Sequence, residues 1–240
     1  MTTYKLYVET GPKHMKTMVH VLDLLGCVSV GKTTDEALDA APPAITAFRR
    51  FMRKSGENID DKERFTTRTA LLVTEGQWLG NGSPYIVFPP DLQPATPREI
   101  ELFLARFHAI YGALGDWAAT QSDKQLDAKT AAGRTGRAVL LHALGSPGAY
   151  LSAALSGAPG LSRIATAAER GELALPDGMR QMTDRADELV RSTTREQRAA
   201  VRERGGGRTY TLRKALRRML EHGWEHLAEL ARRPGGPELP

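Results

Sequence analysis

Two histidines four residues apart, His222 and His226, stand in the C-terminal stretch LRRMLEHGWEHLAELARR. On a helix this spacing puts both imidazoles on one face, close enough to share a single metal ion. The series Leu212, Ala215, Met219, His222, His226, Leu230 keeps the three/four spacing of one helix face, so both rings belong to the apolar stripe and point inward. The pair alone equally fits two core histidines that hydrogen-bond their neighbours. A third histidine changes the weighing. His142 lies in GRTGRAVLLHALGSPGAYLSAAL, flanked by Leu140, Leu141 and Leu144. Alone it reads as a satisfied core residue, but helical bundles build metal sites from inward side chains on different helices. Three neutral imidazoles suit zinc, nickel or iron(II) and leave positions open for water or a small-molecule substrate. Such an ion acidifies a bound water toward neutrality, or holds a thiol as the reactive thiolate.

The remaining candidates are weaker. Glu221 and Glu225 adjoin the pair, but their helical phase predicts the outer face, with Glu221 paired to Arg217 or Arg218 across solvent. His108, among apolar residues in ELFLARFHAIYGAL, fits a hydrogen-bonded core histidine or a pocket lining. His14 and His20 fall in the first part of the chain and read as structural or exposed. Cys27 is the single cysteine, which excludes an internal disulfide and reads as a small buried hydrophobe. Gly205, Gly206 and Gly207 follow no strand and precede no G-K-[ST], so a flexible break is expected there rather than a phosphate loop. Trp117 and Trp224 read as core anchors.

These residues must be positioned by elements that the pattern partly reveals. The 240 residues, 41% hydrophobic and 25% charged, suffice for one large or two modest domains with a real core. YKLYVET and KTMVHVLDL alternate with period two and read as strands, and GCVSVGKT as a third. TTDEALDAAPPAITAFRRFMRKSG reads as a helix capped by Thr34, with Pro42 and Pro43 kinking or splitting it and Gly56 ending it. TRTALLVTEGQW and PYIVF read as further strands. FPPDLQPATPRE holds four prolines and marks a boundary. Beyond it, helices are expected over 97–120, 134–156, 178–203 and 209–233, the first opened by the capping box Thr96-Pro97-Arg98-Glu99. Pro147 in the second removes the bond to the Ala143 carbonyl and predicts a kink or split just after His142. The fold class expected is therefore α+β in two domains, a small sheet-plus-helix domain over 1–93 and an up-and-down four-helix bundle over 97–233.

Residues 97–233 resemble the DinB/YfiT-like family of four-helix bundles. The likeness rests on VLLHALGSPGAYLSAAL followed by TLRKALRRMLEHGWEHLAEL: one histidine early in the second helix, an H-x-x-x-H pair in the fourth, and Trp224 beside the pair. The resemblance implies a divalent metal on His142, His222 and His226. It also implies an activity among thiol-linked transferases, which use a low-molecular-weight thiol, or hydrolases. Residues 4–56 resemble the HicB antitoxin N-terminal domain. The matching residues are Leu25-Gly26-Cys27, Gly31-Lys32-Thr33, Asp35-Glu36-Ala37-Leu38 and Ala44-Ile45, with Leu25 and Lys32 in place of the usual proline and acid. That resemblance implies a small sheet with one helix packed on it, serving as a protein-partner module.

Three functions compete at this level: a metal-dependent enzyme, a non-catalytic HicB-like antitoxin or partner-binding protein, and a nucleic-acid binder. The third draws on a formal charge of +5 and a pI near 9.4, much of it from Arg202, Arg204, Arg208, Arg213, Arg217, Arg218, Arg232 and Arg233. A solvated helix face with interleaved Glu accounts for the same run and is preferred. No apolar run reaches the roughly 18 residues of a membrane span, and MTTYKLYVET lacks a secretory h-region. No membrane role is expected, the compartment expected is the cytoplasm, and bundles of this kind favour a homodimer.

Overall fold

The computed structural model describes residues 1–11, 13, 15–130 and 133–239, which leaves His14 outside the described residues. The chain is mixed α+β, with a small N-terminal sheet followed by a helical part. Strands β1 (Thr2–Gly11), β2 (Lys16–Val21) and β3 (Val28–Gly31) form an antiparallel meander. Strand β4 (Phe65–Val73) returns beside β1 and parallel to it, giving the order β3-β2-β1-β4. Between β3 and β4 lie α1 (Thr34–Asp39) and α2 (Ala41–Lys54). The cap of α1 is Thr33 rather than Thr34, its hydroxyl accepting from Glu36 N at 3.2 Å. Pro42 and Pro43 fall in the first turn of α2, where a missing N–H costs nothing, so of the kink or split expected there the segment splits into two helices.

Alternation along β1 sends Tyr4, Leu6 and Val8 into the main core with Val19, Val21 and the α2 residues Ile45 and Phe48. Tyr7 faces the other way and packs with Leu22 and Phe88, beside Leu71, Val73 and Ile86. The PYIVF segment is accordingly not a strand. Pro84 and the Pro89–Leu92 turn flank it, and Ile86 and Phe88 cover the second face of the sheet instead of extending it.

The second half runs α3 (Pro97–Ala119), α4 (Asp123–Leu126), α5 (Gly136–Leu155), α6 (Leu161–Glu169), α7 (Leu175–Arg191), α8 (Arg195–Ala199), the hairpin β5 (Arg202–Arg204) and β6 (Arg208–Tyr210), and α9 (Leu212–Ala231). The four long helices touch in a ring: α3 on α7 and α9, α5 on α7 and α9. The helix expected over 178–203 breaks at Arg191. Thr194 then opens α8 with its own capping box to Gln197. The glycines at 205–207 form the turn of a hairpin, with Gly206 and Gly207 at φ of 84° and 76°, rather than a free break. Arg202 Nε and Arg204 Nη2 donate to the carbonyls of Ala154 (2.7 Å) and Ser152 (3.3 Å) in the last turn of α5, where cations complement the helix dipole.

Of the kink or split expected at Pro147, the split does not occur: helix α5 runs as one element through the proline. The Ala143 carbonyl, deprived of its usual donor, instead accepts from Tyr111 Oη and Ser146 Oγ, each at 2.9 Å. Among the described residues, this is the one helix long and apolar enough to cross a membrane, with a mean hydropathy of 1.3. Here it packs against α6, α7 and α9, with Leu140, Leu144 and Leu151 fully buried.

The two halves share one apolar core. Trp224 of α9 sits edge-on to Phe48 of α2 at 4.9 Å and tilted against Phe51 at 5.2 Å. Arg106 of α3 reaches across to Glu57 through two bonds of 2.7 and 2.8 Å and to the Leu25 carbonyl at 2.7 Å. Helix α9 lies between the halves, and none of its residues is exposed.

Candidate metal centre

Helix α9 begins at Thr211, whose hydroxyl accepts from Lys214 N at 3.0 Å. From that start the three/four spacing turns His222 and His226 toward α5, which presents His142 opposite them. The ring centroids of His222 and His226 lie 4.4 Å apart, and His142 stands 4.8 and 5.0 Å from the two. One nitrogen from each ring falls within 4.8 Å of the others. The structure thus brings together the three histidines singled out from the sequence.

The donor set fits a cation. His226 Nδ1 lies 3.0 Å from Glu229 Oε2. An ionised carboxylate only accepts, so Nδ1 carries a proton, and in the neutral ring Nε2 then keeps its lone pair. That lone pair faces His222 Nε2 at 3.2 Å. Two nitrogens bound tetrahedrally to one zinc at about 2.0–2.1 Å stand about 3.3 Å apart. Burial, then the neighbouring His226 and Arg218, push His222 down to about 2. Burial, His226 and Arg134 likewise lower His142. Both rings are therefore held neutral, the form that ligates. His142 is exposed, so the group opens to solvent on the α5 side, while His226 is buried.

Behind His226 the sequence reading missed a support. Glu229 also accepts from Arg134 Nη2 and from Arg233 Nη2 at 2.7 Å. Burial raises Glu229, but the bond from His226 and the charge of Arg134 outweigh it and bring the carboxyl to about 2. A carboxylate on the far nitrogen of a histidine ligand fixes its tautomer and orientation. Its signal in the sequence was the spacing His226–Glu229, three apart on one helix.

The other candidates are placed elsewhere. Glu221 does not face solvent as its phase suggested; it is 1% exposed and meets His20 Nδ1 at 2.9 Å, Arg217 Nη1 at 2.7 Å and Arg218 Nη1 at 2.8 Å. Arg217 continues to Asp91 through two bonds of 2.8 Å. The solvated Arg face expected here is therefore, at Lys214, Arg217 and Arg218, a buried network. Its cover is the sheet, which contributes His20, and the segment holding Asp91. Glu225 pairs with Lys16 at 3.2 Å. His108 pairs with Asp187 at 3.1 Å in a cleft between α3 and α7, apart from the triad. Cys27 is fully buried, and burial pushes its thiol up, away from reactivity.

Searches against family models, curated proteins and solved structures find no match for this chain.

Proposed function

We propose that the chain is a divalent-metal-binding protein of DinB-like type, a metal-dependent enzyme acting as a thiol-linked transferase or hydrolase. In this reading α3, α5, α7 and α9 form the four-helix bundle, and the N-terminal part serves as a HicB-like interaction domain. The observation that carries it is the convergence of His142, His222 and His226 from two helices, with ligand atoms within 4.8 Å. The two resemblances in the sequence agree with the ring of long helices and with the meander followed by helices.

A divalent ion held by the triad supplies Lewis acidity, lowering the pKa of a water or thiol toward neutral pH. The chain's own residues do the rest. His222 and His226 offer neutral nitrogens from consecutive turns, and His142 adds a third from the facing helix. Glu229, clamped by Arg134 and Arg233, keeps the proton of His226 on Nδ1. The exposed edge at His142 lets a small substrate approach from solvent.

The test is elemental analysis of the purified full chain and of His222→Ala. One equivalent of zinc, nickel or iron per chain, lost in the variant while circular dichroism is unchanged, is the expected result. A metal-free chain that takes up none of the three on reconstitution overturns the reading. The alternative, a non-catalytic antitoxin-like protein, is favoured by the free edge of β4, nine residues long and largely exposed. It predicts a protein partner whose capture is indifferent to His222→Ala.

A further inference from the structure

One tyrosine next to the triad has a hydroxyl with no hydrogen-bond partner among the described residues. Tyr150 follows His142 by two turns of α5, about 12 Å along the axis, and its ring leans back toward the helix start. Its centroid lies 6.1 Å from that of His222, at 77°. One turn before His222 on α9, the Arg218 guanidinium sits 5.9 Å from the same ring centroid. Arg218 is itself fixed, with Nη1 bonded to Glu221 at 2.8 Å and Met18 Sδ at 3.9 Å. The phenol ring thus lies beside both a histidine of the triad and a buried cation on α9, a favourable seat for an aromatic face.

Ser146, the residue on α5 between His142 and Tyr150, is small and turns its hydroxyl back to the Ala143 carbonyl at 2.9 Å. Its hydroxyl makes no bond to Tyr150. Two other polar groups of these helices are committed: Tyr111 Oη donates to Ala143 O, and Glu225 pairs with Lys16. The Tyr150 hydroxyl makes no hydrogen bond among the described residues, and the residue is only half-buried. A ring seated against two α9 side chains, with no hydrogen bond to its hydroxyl among the described residues, is preorganised for something outside the protein.

We propose that Tyr150 is the substrate-contacting residue of this site, donating a hydrogen bond from its hydroxyl to a carboxylate or carbonyl oxygen of a ligand bound at the triad. The surroundings suit such an oxygen. Arg218 and Arg134 bring positive charge to the triad, while the nearby carboxylates Glu221, Glu225 and Glu229 are each already paired with a cation. The inference rests on the metal reading above and deepens it by naming the ligand chemistry.

The experiment uses the full chain loaded with cobalt(II), whose visible spectrum reports the ligand sphere, titrated with sodium acetate. Tyr150→Phe keeps the ring, its wall against His222 and its contact with Arg218. The expected result is equal cobalt stoichiometry and an unchanged spectrum without acetate in both proteins, with acetate affinity about tenfold weaker in the variant, as for loss of one hydrogen bond. Equal acetate affinity in the two proteins, or no acetate effect on the wild-type spectrum, overturns the role of Tyr150 and leaves the metal site standing. A wild-type chain that takes up no cobalt overturns both together.

Discussion

Helix α9 carries two histidine–carboxylate clusters that differ in what they leave unanswered. On the side toward the sheet, His20, Glu221, Arg217 and Asp91 meet through bonds of 2.7–2.9 Å, and every charge has an opposite partner. On the side toward α5, His222 and His226 bring two Nε2 atoms to 3.2 Å while Glu229 holds the one certain proton on the far nitrogen. The first arrangement is complete with protein atoms alone, apart from His20 Nε2. The second sets ring nitrogens of one chemical type against each other, with one nitrogen from each of three rings within 4.8 Å of the others. Polar groups of opposite kind satisfy each other and build structure; grouped acceptors are the arrangement a cation suits.

The contrast can be broken most forcefully at Arg217. Arg217→Ala strands Asp91 in the interior and leaves Glu221 with Arg218 and His20 alone, and a buried pair broken on one side costs about 3–5 kcal/mol. A fall of that size in urea unfolding is expected, with metal per folded chain unaltered; an unchanged midpoint shows that the network contributes nothing. Glu229→Gln touches the other cluster. It should weaken metal affinity about 10- to 100-fold, measured by competition with a chelator, while stability in urea stays close to wild type.

Acidification should separate the clusters in order. His222 is held near 2 against an ordinary 6.5. Below 6.5 the unfolded chain takes up a proton that the folded chain refuses, so this contribution is whole above 6.5 and shrinks as pH falls. In the metal-free protein the loss between pH 6.5 and 5 is at most about 2 kcal/mol. Glu221 has its folded value far below the carboxylate range, because Arg217, His20 and Arg218 overcome its burial. Its contribution is whole above about 4.5 and is lost only at lower pH. Melting temperatures from pH 7 to 4 should therefore drop first through the triad, and His222→Leu should flatten the upper part of the curve. The smallest effect is expected at Arg204→Ala, which removes one cation from the end of α5. About 0.3–1 kcal/mol is expected by thermal melting, and a larger loss would give the hairpin a greater share in the fold.

The two clusters were not equally legible. His222 and His226 share their phase with Leu212, Met219 and Leu230, so an apolar period alone turned them inward. Glu221 and Arg217 carry the residue types of a wet surface, and nothing local says otherwise. What buries them is His20, 201 residues away from Glu221 in sequence. A helix that is apolar on one side and ionic on the other has the pattern of a surface helix even when both sides are covered. The same limit hid PYIVF, whose apolar residues serve to cover a sheet rather than to join it. The break at Arg191 was different in kind. Thr194 and Gln197 spell a capping box that was present in the sequence and overridden by the charged, helix-favouring run around it.

Pro147 has a further mechanical effect. In an ordinary helix interior every carbonyl is engaged by the next turn, and a neighbour can slide past it with little to mark one position from another. Here a single acceptor is released, and Tyr111 of α3 has claimed it. Moving α5 by one turn, 5.4 Å, would carry that acceptor away from the Tyr111 phenol. The axial setting of His142 against its two counterparts is thus keyed by a proline and a tyrosine outside the triad.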